Sequence, residues 1–349
     1  MVTVRDIARE SGFSVGSVSI VLNNAPLARY MSEAAKQRIK EAARRLGYKP
    51  NQFARSLRGL RSHSVGVMVF DITDPFCTLI IRGIENGLYE QSYLSIFADA
   101  HNERSRFERY LEMMLERRVE GLIVVANWLV VDINLLADLE RFRIPTVIVA
   151  RQLQPQSVSS VMVDNENGGR MAIQHLYELG HRKIAFIRGP KALVDSGLRW
   201  NGIRRFARSV RLPLAPRLIV DLPESVDPTF GFEAAQTLTS ELLQRKLPFT
   251  ALLAYDDVTA IGAMRALAKA GVRVPEQCSV IGFDDVAPAA FVSPPLTTVR
   301  QPMQAMGATA VQLVAEAIQA AAENREFSPV SRLLAPELVA RHSTAAAPR

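Results

Sequence analysis

Apolar positions recur every three to four residues through the first 50 residues, then change to short unbroken runs after residue 63. In the head, Val4, Ile7 and Ala8 form one helical stripe. Val18, Val21 and Leu22 form a second, and Ala35, Ile39, Ala42, Ala43 and Leu46 a third. Polar punctuation falls where these stripes need it. Thr3 is a good N-cap with Asp6 three residues on, where negative charge suits the helix dipole. Gly12 is placed to end the first helix in a left-handed conformation. Ser14 can cap the second helix, Ser32 the third with Glu33 in its first turn, and Gly47 and Pro50 stop it. Two short helices joined by a tight glycine-containing turn predict a helix-turn-helix. Residues 51–61 carry an Asn start, helix-forming residues and a Gly59 stop, but are too short to be helical alone. They read as a linker or as a segment that folds on binding.

The remainder reads as α/β. Val- and Ile-rich runs at 64–70, 94–98, 121–125 and 146–149 alternate with helical patterns at 76–91, 104–118 and 134–142. The alternation repeats with strands near 183–187, 217–220, 251–254 and 279–283, and helices near 165–179, 197–209, 230–243 and 257–270. Such alternation predicts parallel sheets covered by helices on both faces. About 285 residues exceed what one sheet usually needs, so two lobes are expected. Pro294-Pro295 and Thr297-Thr298 fit a crossover back to the first lobe, which would own the helix 303–322. The tail strands near Leu333 and Val339 would return to the second.

Charge divides the chain at the same place as the pattern. Residues 1–61 hold 12 Lys+Arg against 4 Asp+Glu, and the rest 30 against 31, within a formal net charge of +7. A basic module before a nearly neutral one points to a polyanion such as duplex DNA. With Val18, Val21 and Leu22 inward, Val15, Gly16, Ser19 and Ile20 lie near the opposite face. Val15 and Gly16 stand at the end that enters the major groove in such motifs. Thr3, Ser14, Ser17 and Ser19 are short hydroxyl donors suited to phosphate oxygens.

Other chemistry is sparse. Cys77 and Cys278 are the only cysteines, the five histidines lack metal-ligand spacing, and no apolar run reaches membrane-spanning length. There is no nucleophile elbow, no Walker loop and no G-x-G-x-x-G. No catalytic residue, metal or cofactor is expected, nor a membrane. The polar N-terminus carries no signal peptide, so a cytoplasmic, nucleoid-associated bacterial protein is expected.

Several stretches together resemble one family. They are Val2-Thr-Val-Arg-Asp-Ile-Ala-Arg-Glu-Ser-Gly12, Ser14-Val-Gly-Ser-Val-Ser-Ile-Val-Leu-Asn23, Leu46-Gly-Tyr-Lys-Pro-Asn51 and Ala54-Arg-Ser-Leu57. Further along come Asp71-Ile-Thr-Asp-Pro-Phe76, Arg82-Gly-Ile-Glu85, Gly121-Leu-Ile-Val-Val125, Leu179-Gly-His-Arg-Lys-Ile184, Ile281-Gly-Phe-Asp-Asp285, Pro295-Leu-Thr-Thr298 and Glu337-Leu-Val-Ala-Arg341. In order and spacing they resemble the lac repressor (LacI/GalR) family over nearly the whole chain. The resemblance implies a helix-turn-helix domain over 1–49 and a hinge helix and linker over 50–62. It also implies a two-lobed, periplasmic-binding-protein-like effector domain over 63–349. Lobe one would comprise about 63–162 and 293–324, lobe two about 163–292 and 325–349.

It further implies that positions 15, 16 and 20 read bases, with Asn23, Ala54 and Arg55 among the DNA contacts. Leu57 would wedge into the minor groove at the operator centre. Ile20 stands where many members have Arg, and Gly16 replaces a side chain. Val15 and Ile20 are therefore expected to meet thymine methyl groups rather than a guanine edge.

In open α/β sheets ligands bind beyond the carboxyl ends of the strands. Asp71, Thr73 and Asp74 follow the first strand, Asp256 and Asp257 the run 251–254, and Asp284 the run 279–283. Such carboxylates also cap helices, the expected role of Asp257. By resemblance Arg199, Asp256 and Asp284 contact the effector and Phe76 is its aromatic platform. Cys77 stands where a second aromatic is frequent and Asp256 where Asn is common. Tyr255, and Trp200 beside Arg199, are further candidate walls. The effector is expected to be a sugar or related polyhydroxy compound, more hydroxylated or more cationic than a simple hexose. The expected whole is a homodimeric, effector-controlled repressor of a palindromic DNA operator. The competing expectation is a cytoplasmic small-molecule-binding protein or an enzyme using the α/β cleft.

Overall fold

A computed structural model describes residues 2–23, 25–48, 61–126, 144–151, 158–224 and 230–348. The expected hinge helix, with Ala54, Arg55 and Leu57, and the expected helix at 134–142 lie outside the described residues. The chain divides into two compact units, Met1–Ser62 and His63–Arg349.

The first unit is three helices around a small core. Helix α1 (Val4–Ser11) starts with a capping box, in which Thr3 N–H donates to Asp6 Oδ2 at 2.8 Å and Asp6 N–H donates back to Thr3 Oγ1 at 3.4 Å. Gly12 ends it at φ +77°, which a Cβ would strain. Helix α2 (Val15–Leu22) is capped by Ser14, which accepts from Ser17 N–H at 3.1 Å. A 3₁₀ turn (Pro26–Tyr30) leads to α3 (Glu33–Arg45), capped by Ser32. Ile7, Ala8, Val18, Val21, Ile39, Ala42 and Ala43 form the core. Arg38 reaches from α3 to the Ser11 carbonyl at 3.1 Å, tying the third helix to the end of the first.

The second unit holds two six-stranded sheets. The elements in chain order are β1 (Ser64–Val69), α4 (Pro75–Glu90), β2 (Leu94–Asp99), α5 (Arg104–Glu116), β3 (Gly121–Val125), β4 (Thr146–Val149) and β5 (Ser159–Val163). There follow α6 (Asn165–Glu178), β6 (Ile184–Arg188), α7 (Val194–Ser209), β7 (Ile219–Asp221), α8 (Phe230–Gln244), β8 (Ala251–Ala254), α9 (Asp257–Lys269) and β9 (Ser279–Asp284). Last are α10 (Ala287–Phe291), β10 (Thr297–Arg300), α11 (Met303–Ala322), β11 (Ser331–Leu334) and β12 (Glu337–Val339). The first sheet runs β11-β5-β4-β3-β1-β2 and the second β12-β10-β9-β8-β6-β7. All pairs are parallel except β10 with β12.

Alternate residues of the buried strands feed cores on opposite faces. Val65, Val67 and Val69 of β1 pack with α4 and α11, whereas Met68 joins Phe107, Leu111 and Met114 of α5. The second sheet repeats the arrangement. Ala185 and Ile187 face the α8–α9 side, and Ile184 and Phe186 the α6–α7 side. Two-sided cover explains why these strands read as continuous apolar runs.

The tail corrects the expected lobe membership. The segment 293–324 does not lie wholly in lobe one, because β10 pairs with β9 in the second sheet. The chain crosses only after Arg300, and then α11 packs on α4. Nor does all of 325–349 belong to lobe two, since β11 lies beside β5 in the first sheet and only β12 returns. The physical reason is the end of each sheet. Thr297, Thr298 and Val299 are buried between two neighbours, while β11 is a mostly exposed edge strand whose residues do not mark which sheet it joins. The chain therefore passes from one lobe to the other three times, after β5, after β10 and after β11. Among the described residues no helix is long and apolar enough to cross a membrane.

Candidate functional site

In the helix-turn-helix unit, Val15 is 47% exposed at the start of α2, with Gly16 exposed beside it and Ile20 half-buried one turn on. The hydroxyls expected on phosphates are partly committed. Thr3 Oγ1 donates to Asp6 Oδ2 at 2.7 Å, and Ser14 Oγ lies 2.9 Å from Ser17 Oγ. Asn23 Nδ2 donates to the Ser19 carbonyl at 2.8 Å and to Ser19 Oγ at 3.2 Å, closing the end of α2. Thr3, Ser14, Ser17, Ser19 and Asn23 thus shape the helix ends, leaving Val15 and Gly16 as the open surface of α2's first turn.

In the second unit a cleft of about 510 Å³ of empty space, partly open to solvent, lies at the carboxyl ends of strands from both sheets. Asp74 and Phe76 reach it from the β1–α4 turn and Ala150 from the end of β4. The second lobe supplies Asp195 and Arg199 from α7, Tyr255, Asp256 and Val258 around the start of α9, and Asp284, Val286 and Gln301 after β9 and β10. Six of the expected effector contacts, Asp74, Phe76, Arg199, Tyr255, Asp256 and Asp284, are brought together here.

Arg199 organises this wall. Its Nε donates to Asn165 Oδ1 at 2.8 Å and its NH1 to the Tyr255 carbonyl at 2.7 Å, while NH2 stands 3.6 Å from Asp284 Oδ1. The guanidinium lies 4.6 Å from the Tyr255 ring centre and 3.7 Å from that of Phe283, in range for cation–π attraction. Asp284 Oδ1 also accepts from Gln301 Nε2 at 2.6 Å. Asp284 and Asp285 both have left-handed φ, +115° and +62°, a strain for residues with a Cβ. The surroundings hold them there. Asp285 accepts from Arg300 Nε at 2.7 Å and Arg341 NH2 at 2.5 Å, and Gln301 N–H donates to the Asp284 carbonyl at 3.2 Å.

Three expectations are corrected. Cys77 does not reach the cleft; it is fully buried in the core of lobe one. It is the neighbour of Phe76 on α4, and adjacent helical residues point about 100° apart. Asp257 is not the cap of α9. Asp256 is, accepting from Thr259 N–H at 2.7 Å, while Asp257 turns inward to accept from Thr298 Oγ1 at 2.5 Å and Val286 N–H at 2.9 Å. Burial pushes the Asp257 carboxyl up to about 8, against the pull of those two hydrogen bonds. Trp200 does not line this cleft but a smaller cavity behind it, edge-on to Phe186. Asp195, Gln301, Ala150, Val258 and Val286 were not foreseen. Gln301 follows a strand end and Asp195 precedes Arg199 by one helical turn, signals that strand and helix ends carried.

Burial also raises the carboxyls of Asp284, Asp195 and Asp256, opposed in each case by Arg199. A carboxyl whose folded pKa is raised contributes stability that is fully present below its unfolded pKa and lost as pH rises through the folded value. His175 and His181, lowered by burial, act in the opposite direction, but only as pH falls below about 6.5. Above that, the second unit is expected to lose stability as pH rises towards about 8, where the buried Asp257 ionises, and Asp257→Asn to flatten the slope. Urea midpoints of both proteins from about pH 6.5 to 8.5 read this; an unchanged slope in the variant contradicts it. Among the described residues no group of three His, Cys, Asp or Glu side chains could hold a metal ion.

Comparison with known proteins gives a consistent picture. A family profile described as bacterial regulatory proteins, lacI family, matches residues 3–51, and one described as a periplasmic binding protein-like domain matches 173–344. The HTH-type transcriptional repressor PurR of Aliivibrio salmonicida is 32% identical over 346 residues, covering 98% of this chain and 99% of the relative. The HTH-type transcriptional repressor CytR of Escherichia coli is 30% identical over 347 residues, covering 99% and 97%. Among solved structures, the lac repressor dimer bound to operator and the anti-inducer ONPF superposes with a TM-score of 0.84 at 26% identity, over 99% of each chain. A transcriptional regulator CelR–cellobiose complex gives 0.72 at 29% identity, over 98% of this chain and all of that one.

Proposed function

The chain belongs to the lacI family of bacterial regulatory proteins, and from that premise we propose that it is a dimeric repressor whose hold on operator DNA is set by a small polyhydroxy effector in the cleft. It is a transcription regulator and not an enzyme, as its relatives are repressors. Acting on chromosomal operators places it in the bacterial cytoplasm, at the nucleoid. The observation that carries the effector reading is the cleft itself. Carboxylates and an amide from three strand ends and an aromatic ring from the opposite lobe converge on one space at the carboxyl ends of both sheets. Carboxylates and amides meet hydroxyl groups, and Phe76 can cover the apolar face of a sugar ring. Solved relatives carry cellobiose and ribose, which supports the class.

The mechanism couples two sites through one movable element. Three crossovers join the lobes, and Gln301 stands on one of them while bonded to Asp284 in the cleft. A ligand that engages Asp284 competes for that bond and biases how the lobes close. Closure in a dimer changes the spacing of the two heads and their hinge segments. Paired heads then read two half-sites about one helical turn apart, with Leu57 wedged at the centre.

Val15 and Ile20 are read as contacts to thymine methyls, so no guanine contact comes from α2's open face. Selection of duplexes from a random pool, with and without a panel of sugars and polyols, tests the whole reading. A palindrome whose enrichment one compound alters supports it, and no enrichment by the folded dimer sinks it. Ile20→Arg is expected to move the half-site preference towards guanine by about 1–3 kcal/mol per site. Competition across a half-site base-substitution series measures this, and an unaltered preference removes position 20 from the reading set.

A further inference from the structure

Among the described residues, the lining of the cleft carries more carboxylates than cations. Among the described residues that line it, Asp74, Asp195, Asp256 and Asp284 face a single guanidinium, Arg199. That guanidinium is already engaged by protein. Two of its nitrogens bond Asn165 and the Tyr255 carbonyl, its faces are covered by aromatic rings, and its remaining nitrogen stands by Asp284. Its charge offsets about one carboxylate.

The fold accounts for part of the acidity. Asp74 caps α4 through Phe76 N–H at 2.9 Å and Asp256 caps α9 through Thr259 N–H. Each cap uses one carboxylate oxygen, as does the contact of Asp284 with Gln301 and Arg199. Asp195 has no such role. Its carboxylate accepts no hydrogen bond from a described residue, and the residue stands half-buried in the cleft wall. The other cation acting on it, Arg151, offsets a second carboxylate, which leaves two without a compensating charge. A carboxylate partly withdrawn from water without a partner is costly. Hydroxyls satisfy acceptors but leave the charge, whereas an ammonium group supplies three donors and cancels charge together.

We infer that the ligand of this cleft is a polyhydroxy compound bearing a protonated amine, with the ammonium held among Asp195, Asp256 and Asp284. Its hydroxyls meet Asp74 and Gln301, and its apolar face lies on Phe76. This rests on the cleft being the effector site. The amine selects the ligand, since neutral sugars leave two carboxylates unmatched.

Charge selection can be read without knowing the ligand. Val258 lines the cleft, and the native Cys77 and Cys278 are 0% and 1% exposed, so Val258→Cys gives one accessible thiol among the described positions. Its modification rates with trimethylammonioethyl and sulfonatoethyl methanethiosulfonate are each normalised to a small free thiol. The cationic reagent is expected to win by roughly tenfold or more, with the ratio falling when Asp195→Asn or Asp256→Asn is added. A normalised ratio at or below one overturns the inference. Calorimetry on the full chain then compares glucosamine with glucose and galactosamine with galactose. The amine is expected to bind roughly tenfold tighter or better; a neutral parent binding as tightly as its amine overturns the inference. A neutral sugar that binds and alters operator affinity leaves the regulatory reading intact while overturning this one. Failure to select any operator sinks the regulatory reading and does not change the labelling ratio.

Discussion

Arg199→Ala is expected to cost the second unit about 3–5 kcal/mol and to abolish the operator response to effector. The size follows from what the guanidinium touches. It is 7% exposed, fixes Asn165 and the Tyr255 carbonyl, and opposes burial at Asp284, Asp256 and, with Arg151, at Asp195. Alanine leaves an acceptor on Asn165, an orphaned carbonyl and uncompensated carboxyls in a low-dielectric space. Lysine will not restore it, since one ammonium cannot span Asn165 and Tyr255 while lying flat between the Tyr255 and Phe283 rings. Adding Asp284→Asn to Arg199→Ala should recover part of the lost stability, because it removes one uncompensated carboxyl. Urea denaturation gives the stability, and operator titration with effector gives the response. A loss under about 1 kcal/mol would show that water, not Arg199, compensates these groups.

Gly202→Ala is expected to destabilise the second lobe by about 1–3 kcal/mol or more and to weaken the cleft with it. A Cβ at Gly202 would stand 1.9 Å from the Glu166 carbonyl oxygen, and one at Gly169 would stand 2.1 Å from the Arg199 carbonyl oxygen. The obstacle is backbone in both cases, so no side chain can swing away and α6 and α7 must separate. Helix α7 carries Asp195 and Arg199, so the shift is transmitted to the cleft wall. Gly197→Ala on the same helix is the control. Its Cβ would meet nothing within 4 Å, and better helix propensity should make that variant neutral or more stable by up to about 1 kcal/mol. Thermal midpoints and effector affinity of both variants separate packing from propensity. Equal behaviour of the two would refute the close-contact account. Lobe one repeats the device where Gly83 and Gly307 let α4 meet α11, with Cβ positions 2.1 and 2.2 Å from the Gln304 and Ile80 carbonyl oxygens.

The adjacent pairs show where a sequence reading stops. Phe76 and Cys77 are consecutive, and one faces the cleft while the other enters the core. Asp256 and Asp257 are consecutive, and one caps a helix while the other ties α9 to β10. Residue type and strand-end position nominate both members of each pair. The partners that separate them, Thr298 for Asp257 and the core of lobe one for Cys77, come from distant parts of the chain. Asp195 and Gln301 were missed for the same reason, since the helix and crossover that carry them gain meaning only when placed beside Asp284.

The sequence by itself determined the helix-turn-helix, its caps at Thr3, Ser14 and Ser32, the left-handed stops at Gly12 and Gly47, and the alternation of strand and helix. These depend on neighbours within a few residues, where capping, backbone φ and side-chain period act directly. Only the tertiary structure decided that β10 stays in the second sheet, that β11 joins the first, and which carboxylates share one cleft. Those outcomes depend on contacts between residues far apart in the chain, which short-range pattern cannot encode. An exposed edge strand such as β11 does not carry in its own residues which sheet it will join, and a pocket residue is defined by what faces it across the space.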